Sequence, residues 1–445
     1  GFLKKPSIVR IGGLITSGLL TIFALFQPIG HVLKLGVISI GIDSELIFFG
    51  RAFLLENSDR FTLLLIFATL TLFIGGARFT NQPVKFIPLV IAIAAVLTAA
   101  LSVQPFLYSA VLVELAVLLM IPLVTVKGKF PEKGVIRFLI YVSLAMPFIL
   151  FAGWILGGAQ ANLSEETMRS MAVLFLSIGF ALWLAIFPFH SWVPQFSQVV
   201  NPYIASFIFC LLPIVTLLIM IDYTSSLVWL RQEGYLSLVI RIVGIIMIVT
   251  SGIWAAVEND VKRILAFSVL YETGFALLMV SQQSSEGVSL LYQSFVPRIV
   301  ALALLGLSLS IIWGSDDTFT VKGLRSAVRR YPVVMISVMI SMFTIIGFPS
   351  SAGFPIKFEV MQLVGRNGVD AIIWVAIGMT GFLIAAIRIF SNATLPENGK
   401  WEIRETPGQI IVLLAGCLVL LLIGMFPQIT ESLFGSLLMN LPVLQ

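Results

Sequence analysis

The sequence has very little of the side-chain chemistry that holds metals and redox centres. Its 445 residues include only two cysteines and two histidines. Cys210 and Cys417 lie in apolar runs without CxxC spacing or a nearby histidine, so neither a disulfide framework nor a zinc or iron–sulfur site is predicted. With only His31 and His190, bis-histidine haem ligation within one helix pair is not expected. We therefore expect no cofactor and no metal on this chain.

Charge is equally scarce, and this sets the class of protein. Charged residues make up 11% of the chain and hydrophobic residues 59%, with a mean hydropathy of +1.06. Soluble domains carry roughly 25% charged residues, so the composition indicates a polytopic membrane protein. The net charge of +5 comes from basic residues that cluster in short loops. It does not predict binding to nucleic acid.

Apolar stretches of spanning length recur along the chain. Residues 31–57 do not fit a span, and the alternation over 36–43 predicts a short extracytoplasmic hairpin. The first apolar stretch is long enough to span and no clear cleavage site follows it, so no cleavable signal peptide is predicted. At about 20 residues per span, thirteen helices are predicted near 9–28, 58–77, 84–103, 105–125, 134–157, 170–190, 203–222, 236–256, 262–281, 286–313, 331–365, 368–391 and 408–427.

The distribution of basic residues gives an orientation. Cytoplasmic loops carry an excess of lysine and arginine, and alternate loops of this chain hold 17 and 6 of them. The pattern predicts a cytoplasmic N-terminus and an external C-terminus. The richer side has Lys4, Lys5, Arg10, Arg78, Lys85, Lys127, Lys129, Lys133, Arg137, Lys262, Arg263, Lys322, Arg325, Arg329, Arg330, Lys400 and Arg404; the poorer side has Lys34, Arg51, Arg60, Arg169, Arg231 and Arg366.

Two predicted helices are interrupted by proline and glycine. The first interruption covers Phe187–Pro194, and the second covers Gly347–Pro355 and leads into Lys357. Broken helices are tolerated in lipid only where the freed backbone is buried in protein or lines a wet cavity. Paired breaks point to an ion or substrate pathway. We expect the breaks at Pro188, Pro349 and Pro355.

Two ionisable residues within the membrane are the main candidates for moving protons. Glu114 lies in the middle of an apolar helix; it is either a protonated carboxyl bonded to a neighbouring helix or a proton-relay carboxylate. Lys357 follows the second break, where the carbonyls that end the preceding half-helix can stabilise its charge. It is either a structural cap for those carbonyls or a proton acceptor and donor.

Four further ionisable residues are candidates with lesser roles. His190, at the first break, either shuttles protons or caps a helix end. Glu272 lies deep in a helix and is a proton-relay candidate. Arg241 and Arg298 do not release protons, so they are expected to fix charge, with an ion pair to Glu272 or Glu114 as the simplest arrangement.

Three motifs occur in order with Glu114. They are Phe187-Pro-Phe-His-Ser-Trp-Val-Pro194, Asp260-Val-Lys-Arg-Ile-Leu-Ala-Phe-Ser268 and Gly347-Phe-Pro-Ser-Ser-Ala-Gly-Phe-Pro-Ile-Lys-Phe358. Together they resemble the antiporter-like membrane subunits of NADH:quinone oxidoreductase (complex I) and their Mrp antiporter relatives. The resemblance covers roughly residues 58–391 and is strongest to the N- or M-type subunits.

The resemblance implies an all-α fold with two inverted five-helix repeats, each containing a broken helix. Family members have fourteen helices, with the glutamate on the fifth and breaks in the seventh and twelfth. Each landmark is one helix earlier here, which implies that the first family helix is missing from the sequence. The implied division is 1–83 for N-terminal helices and hairpin, 84–222 and 236–391 for the repeats, and 392–445 for a C-terminal helix.

The departures from the family pattern concern two lysines. The family usually has a lysine seven residues before the broken-helix histidine, and that position here is Trp183. The lysine expected on the next helix falls at Ile214 or Val215. Glu114 therefore lacks the cation expected to modulate it, and a proton path through the first half would depend on His190, Glu272 and water.

Three functions remain open at this point. The first is a membrane-arm subunit of a complex I-like oxidoreductase, coupling quinone reduction with NADH or ferredoxin to proton translocation. The second is a subunit of a Mrp-type cation/proton antiporter, a membrane-bound hydrogenase or an inorganic-carbon uptake complex, moving protons or sodium. The third is a structural scaffold that does not pump.

All three imply other membrane subunits and lipid as partners in an energy-transducing membrane. We expect the bacterial plasma membrane, with thylakoid and mitochondrial inner membranes as the alternatives.

Overall fold

The chain folds into a bundle of apolar helices. A computed structural model describes residues 6–35, 38–125, 130–159, 166–227, 229, 234–313, 319–366, 368–396 and 401–430. The helices are α1 Pro6–Phe26, α2 Arg60–Gly76, α3 Phe86–Ser102, α4 Ser109–Val124, α5 Lys133–Ala159, α6 Glu166–Trp183, α7 Trp192–Val199, α8 Pro202–Ser226, α9 Gly234–Val257, α10 Val261–Val280, α11 Ser285–Trp313, α12 Ala327–Arg330, α13 Pro332–Ile346, α14 Phe354–Gly365, α15 Asp370–Thr394 and α16 Pro407–Met425.

The prediction of an all-α membrane fold is confirmed. Within the described residues, ten helical segments are long and apolar enough to cross a membrane, and α3 and α13 are shorter apolar helices. Two predicted boundaries are wrong. The segment predicted at 170–190 ends as a regular helix at Trp183, and the segment predicted at 331–365 is divided into α13 and α14. Both differences come from the helix breaks.

The centre of the bundle is formed by α8 and α10. In each of these helices 94% of the most apolar window is buried, whereas α1 and α16 have 17% buried and lie at the periphery. A helix that is apolar on all sides suits a position surrounded by protein. α8 packs on α11, and α9 packs on α10 and α15.

Glycines allow α9 and α15 to approach closely. A Cβ atom on Gly252 would lie 2.2 Å from the carbonyl oxygen of Gly378, so neither backbone could tolerate a side chain at that point. Helix pairs within membranes gain stability from this kind of close packing of small residues. The contact holds α15 against the helix that precedes α10.

Short strands occupy the connection between α1 and α2. β1 (Val32–Leu35) pairs with β2 (Ile38–Gly41) in antiparallel register and overlaps the hairpin predicted over 36–43, whose extracytoplasmic location stays a prediction; residues 36 and 37 lie outside the described residues. A second hairpin joins β3 (Glu45–Phe48) to β4 (Arg51–Leu54), and β5 (Val103–Gln104) pairs with β4.

Several residues behind the predicted orientation are not described. Lys4, Lys5, Lys127, Lys129, Arg231 and Lys400 lie outside the described residues, as does the end of the predicted 392–445 segment. The orientation of the termini and the division into repeats therefore stay predictions.

Candidate functional site

The second helix break brings the end of α13 next to the start of α14. Gly347 ends α13 with a φ of 83°, a left-handed conformation that glycine adopts at little cost. A Cβ atom on Gly353 would lie 2.0 Å from the carbonyl oxygen of Thr344. Pro349 lies in the turn, and Pro355 occupies the first turn of α14, where no backbone donor is lost. The break thus follows from the local sequence.

The carbonyls freed at the end of α13 all find donors. The hydroxyl of Ser351 donates to the carbonyl of Phe343 at 3.0 Å, and that of Tyr271 donates to the carbonyl of Ile346 at 3.2 Å. The Nζ of Lys357 donates to the carbonyl of Ile345. A cation at the negative end of a helix dipole is favourable. The predicted contact between the lysine and the half-helix is therefore present.

Lys357 also forms a buried ion pair with Glu272 of α10. The Nζ of the lysine lies 2.5 Å from Oε1 of the carboxylate, and the two residues are 5% and 7% exposed. The rings of Tyr271 and Phe275 lie 5.4 and 5.2 Å from the same Nζ. Aromatic faces attract a desolvated cation. The ammonium is thus surrounded by carbonyls, a carboxylate and two rings.

A second cation, Arg298 of α11, lies beside the pair. It is 3% exposed, donates to the hydroxyl of Thr273 at 3.3 Å, and its Nε has no partner within the described part of the chain. Arg298, Glu272 and Lys357 line one cavity of about 20 Å³. A polar cavity of that size has room for about one water molecule.

The charges of this site do not balance. Two cations face one carboxylate in a setting where an unpaired charge is costly. An arginine keeps its proton, whereas lysine and glutamate can each change state. Transfer of the bridging proton from Lys357 to Glu272 converts the ion pair to a neutral pair without moving either side chain, so the pair can hold a proton on either group.

The first helix break has a different composition. α6 ends at Trp183, Ala185 has a φ of 50°, and a 3₁₀ turn over Phe189–Ser191 leads into α7. His190 lies within that turn and stacks on Phe187 at 5.4 Å between ring centroids. Its Nδ1 is buried and has no hydrogen-bond partner among the residues described. Whether His190 shuttles protons or caps a helix end stays a prediction.

The surroundings of Trp183 are mostly apolar. Its side chain is 2% exposed and lines a cavity of about 20 Å³ together with Ile208, Leu212 and Leu270. Thr273, whose hydroxyl accepts a hydrogen bond from Arg298, lines the same cavity. Ile214 and Val215 are both buried on the apolar helix α8. The positions where lysines were expected therefore lie in the hydrocarbon core of the bundle.

Glu114 occupies a third place. Its Oε1 accepts a hydrogen bond of 2.7 Å from the hydroxyl of Ser143 on α5, and its Oε2 is buried without a partner among the described residues. α4 packs on α3, α5 and α8, while α14 packs on α10, α11 and α15. Glu114 and the Lys357–Glu272 pair thus belong to different parts of the bundle.

Comparison with known proteins assigns the family. The family model described as NADH:quinone oxidoreductase/Mrp antiporter, transmembrane, matches residues 139–384, more than half of the chain. The chain belongs to this family. The match includes both His190 and Lys357.

Relatives and solved structures are similar over long ranges. Subunit N of the NADH-quinone oxidoreductase of Acidithiobacillus ferrooxidans is 26% identical over 58% of this chain and 55% of that protein. The Cupriavidus taiwanensis subunit N is 24% identical over 69% and 67%. The chain thus spans little more than half the length of the first of these relatives.

Two solved assemblies have the same fold. A chain of respiratory complex I from Thermus thermophilus has a TM-score of 0.79 at 17% identity, over 98% of this chain and 97% of that one. A chain of the Mrp complex from Dietzia sp. has a TM-score of 0.80 at 16% identity, over 98% and 93%.

In this complex I/Mrp family member, the expected ion pairs of the arginines are wrong. Arg241 donates to the carbonyl of Val364 at 3.2 Å, and Arg298 donates to Thr273. Neither is among the salt bridges of the described residues. The partner of Glu272 is Lys357 because the second break turns the lysine back towards α10.

Three polar partners of the site residues in this family member were not predicted from the sequence. Tyr271 and Thr273 flank Glu272 on α10 and contact the α13 end and Arg298, and Ser143 pairs with Glu114. The run Tyr271-Glu272-Thr273 is the one signal that could have indicated a polar site, since it interrupts an apolar helix. The described residues contain no group of three or more His, Cys, Asp or Glu suited to a metal.

Proposed function

We propose that this chain is a membrane-arm subunit of a complex I-like assembly that couples quinone reduction to proton translocation. The observation that carries the proposal is the buried Lys357–Glu272 pair at the second helix break. A buried ion pair is a poor source of stability compared with apolar packing. Its retention in a membrane helix is typical of a residue pair that moves protons.

In this proposal the proton resides on the Lys357–Glu272 pair. The guanidinium of Arg298 is a fixed positive charge beside the pair, since an arginine keeps its proton. A change of charge in a neighbouring subunit shifts the proton between the two groups, because interactions between charges reach far where the effective dielectric is low. The water-sized cavity beside the pair is where a proton enters or leaves it.

Glu114 is proposed as a second proton-carrying carboxylate. Its Oε2 is buried and has no hydrogen-bond partner among the described residues, so it can accept a hydrogen bond from an internal water. Glu114 and Lys357 lie on helices with different neighbours, so exchange between them requires intervening water. His190 has the ring chemistry for such a role, and its buried Nδ1 has no hydrogen-bond partner among the described residues.

The setting of the chain follows from its relatives. The similar solved structures are hetero-oligomeric membrane complexes, so other membrane subunits are its partners. We place it in the bacterial plasma membrane with the N-terminus in the cytoplasm, and we propose that protons rather than sodium move. Electron transfer belongs to other subunits, and no redox centre is assigned to this chain.

A non-pumping scaffold is the second candidate, and one observation favours it. Trp183, Ile214 and Val215 occupy the positions of two expected lysines and are buried in apolar surroundings. A chain that had lost its whole pathway would have this composition in its first half. It would not need a buried lysine–glutamate pair in its second half.

The deciding experiment measures proton translocation by the assembled complex in proteoliposomes. Lys357→Ala, Glu272→Gln and Glu114→Ala are compared with Lys322→Ala, which removes an exposed lysine. We expect the first two to reduce the protons moved per quinone reduced by the share of this subunit, with normal assembly. Unchanged ratios in all the variants would establish the scaffold function, and sodium-dependent transport without quinone reduction would establish the antiporter.

A further inference from the structure

Polar residues recur along one face of α11, between its first turn and the cavity at the second helix break. Glu286, Ser289 and Gln293 are separated by three and four residues, which is the spacing of one helical face. Ser294 comes next, and it lines the water-sized cavity beside Lys357. Polar side chains in a spanning helix normally face protein or water rather than lipid. This polar stripe therefore requires polar surroundings along its whole length.

The face of α11 that carries the polar stripe is turned towards α14. Pro297 lies eleven residues, or about three helical turns, after Glu286, and it lines the same cavity as Ile356 of α14. At the other end of the stripe, the guanidinium of Arg366, which follows α14, donates two hydrogen bonds of 3.1 and 3.4 Å to Glu286. With contacts at both ends, α11 and α14 run side by side, and the stripe borders the crevice between them.

The crevice is long enough to connect the site with a membrane surface. At 1.5 Å per residue, Ser294 is roughly 12 Å from Glu286 along α11, and Lys357 is roughly 13 Å from Arg366 along α14. Half the hydrocarbon thickness of a bilayer is about 15 Å. The two ends of the crevice therefore differ in depth by almost half a membrane.

Hydrogen-bonding groups occupy the stretch between the two ends. The side-chain amide of Gln293 donates to the hydroxyl of Ser289 at 3.2 Å, and both residues are partly buried. An amide and a hydroxyl can each donate and accept hydrogen bonds. Together with Ser294, they give water in the crevice a polar partner on every turn of α11.

The salt bridge between Glu286 and Arg366 lies across the outer end of the crevice. The two side chains are 53% and 65% exposed, and exposed salt bridges add little to stability, so this one opens readily. α14 stays attached when it opens, because Arg241 of α9 donates to the carbonyl of Val364 at 3.2 Å. The pair can thus open and close the crevice without displacing the helix that carries Lys357.

We propose that the crevice between α11 and α14 is a water-filled path from the Lys357–Glu272 pair to one membrane surface, and that the Glu286–Arg366 salt bridge gates it. A proton that leaves the pair passes to water in the crevice and is released when the salt bridge opens. The identity of the cargo rests on the proposed function. The water path and its gate do not.

Cysteine labelling of the assembled complex in membranes tests the path. The two native cysteines, both buried, are replaced by alanine, and single cysteines are then introduced as Ser289→Cys or Gln293→Cys. Val288→Cys and Leu291→Cys are controls at matched depth, since these residues are 3% and 0% exposed and lie on the opposite side of α11. We expect a small cationic methanethiosulfonate reagent to label the two stripe positions at least tenfold faster than the two controls.

Variants of the salt bridge test the gate. In the Gln293→Cys chain, Glu286→Gln and Arg366→Gln should each raise the labelling rate at least threefold. Exchange of the two charges, Glu286→Arg with Arg366→Glu, should return the rate to within twofold of that with the original pair. This restoration would separate gating from general loosening of the fold.

Three results would overturn the proposal. The first is labelling of Gln293→Cys no faster than that of Leu291→Cys, even with Arg366→Gln. The second is a rate that does not depend on the salt bridge. The third is labelling in the separated chain but not in the complex, which would mean that a neighbouring subunit covers the crevice. Labelling requires no proton translocation, so this proposal and the proposed function can fail independently.

Discussion

Replacing Glu272 by glutamine and Lys357 by methionine, singly and together, separates the charge of the pair from its shape. Glu272→Gln leaves Lys357 and Arg298 facing each other across one cavity without an anion. Lys357→Met leaves the carboxylate beside Arg298 and also removes a donor from the carbonyl of Ile345. The double variant removes both charges of the pair and keeps Arg298.

The structure gives the size of the effect. Unit charges 4 Å apart attract by about 4 kcal/mol at an effective dielectric of 20, and Glu272 and Lys357 are closer than that. Removing one partner of a buried pair costs about 3–5 kcal/mol, whereas removing both is far less costly. We therefore expect each single variant to lose about 3 kcal/mol or more. The double variant should lose about 3 kcal/mol less than the sum of the two.

The assay is unfolding of the purified chain by a denaturing detergent, followed by the loss of helical circular dichroism. The control pair is Glu286→Gln and Arg366→Met, an exposed salt bridge on the surface. Exposed pairs contribute about 0–1 kcal/mol, so its coupling should be small. If the losses from Glu272→Gln and Lys357→Met add within about 0.5 kcal/mol, the two residues are not coupled and the reasoning is refuted.

The remaining predictions concern the second helix break, Trp183 at the first helix break, and the loop before α16. Gly353→Ala places a methyl group against the carbonyl of Thr344 and should cost about 2 kcal/mol or more in thermal unfolding; Gly12→Ala, with open space around it, should lower the melting temperature much less. Trp183→Phe should leave proton translocation within twofold, since Trp183 is not among the proposed proton carriers, and a loss as large as that of Lys357→Ala would contradict this assignment. Burial raises the pKa of Glu405 above its ordinary value of 4.5, so the folded protein binds this proton more tightly than the unfolded chain. Compared with Glu405→Gln, the unchanged protein should gain thermal stability as the pH falls through that raised pKa to below 4.5, and a difference that is constant with pH would be evidence against this.

The sequence was sufficient for the fold class because the apolar runs are long. Spans such as α8 are set by hydropathy alone, since lipid and protein interiors both select apolar side chains. The positions of the helix breaks followed from proline and glycine. The backbone conformation inside the breaks could not be predicted in this way. The end of α6 at Trp183 depends on the positive φ of Ala185, and alanine does not indicate a positive φ.

The candidate site was only partly predictable for a similar reason. Lys357 was expected to contact the carbonyls of α13 because both belong to one local segment. Its pairing with Glu272 joins residues 85 positions apart, and a single sequence carries no signal for a contact over that separation. The arginines were assigned to carboxylates by charge, while packing directs Arg241 to a carbonyl of α14.

The central claim is that Glu272 exchanges a proton with Lys357 while the complex works. Infrared difference spectroscopy of the complex, recorded before and after quinone reduction begins, tests it most directly. We predict a band from a protonated carboxyl that shifts in deuterated water, is lost in Glu272→Gln and is altered in Lys357→Met. A carboxyl band that persists unchanged in Glu272→Gln and disappears in Glu114→Gln would contradict the claim.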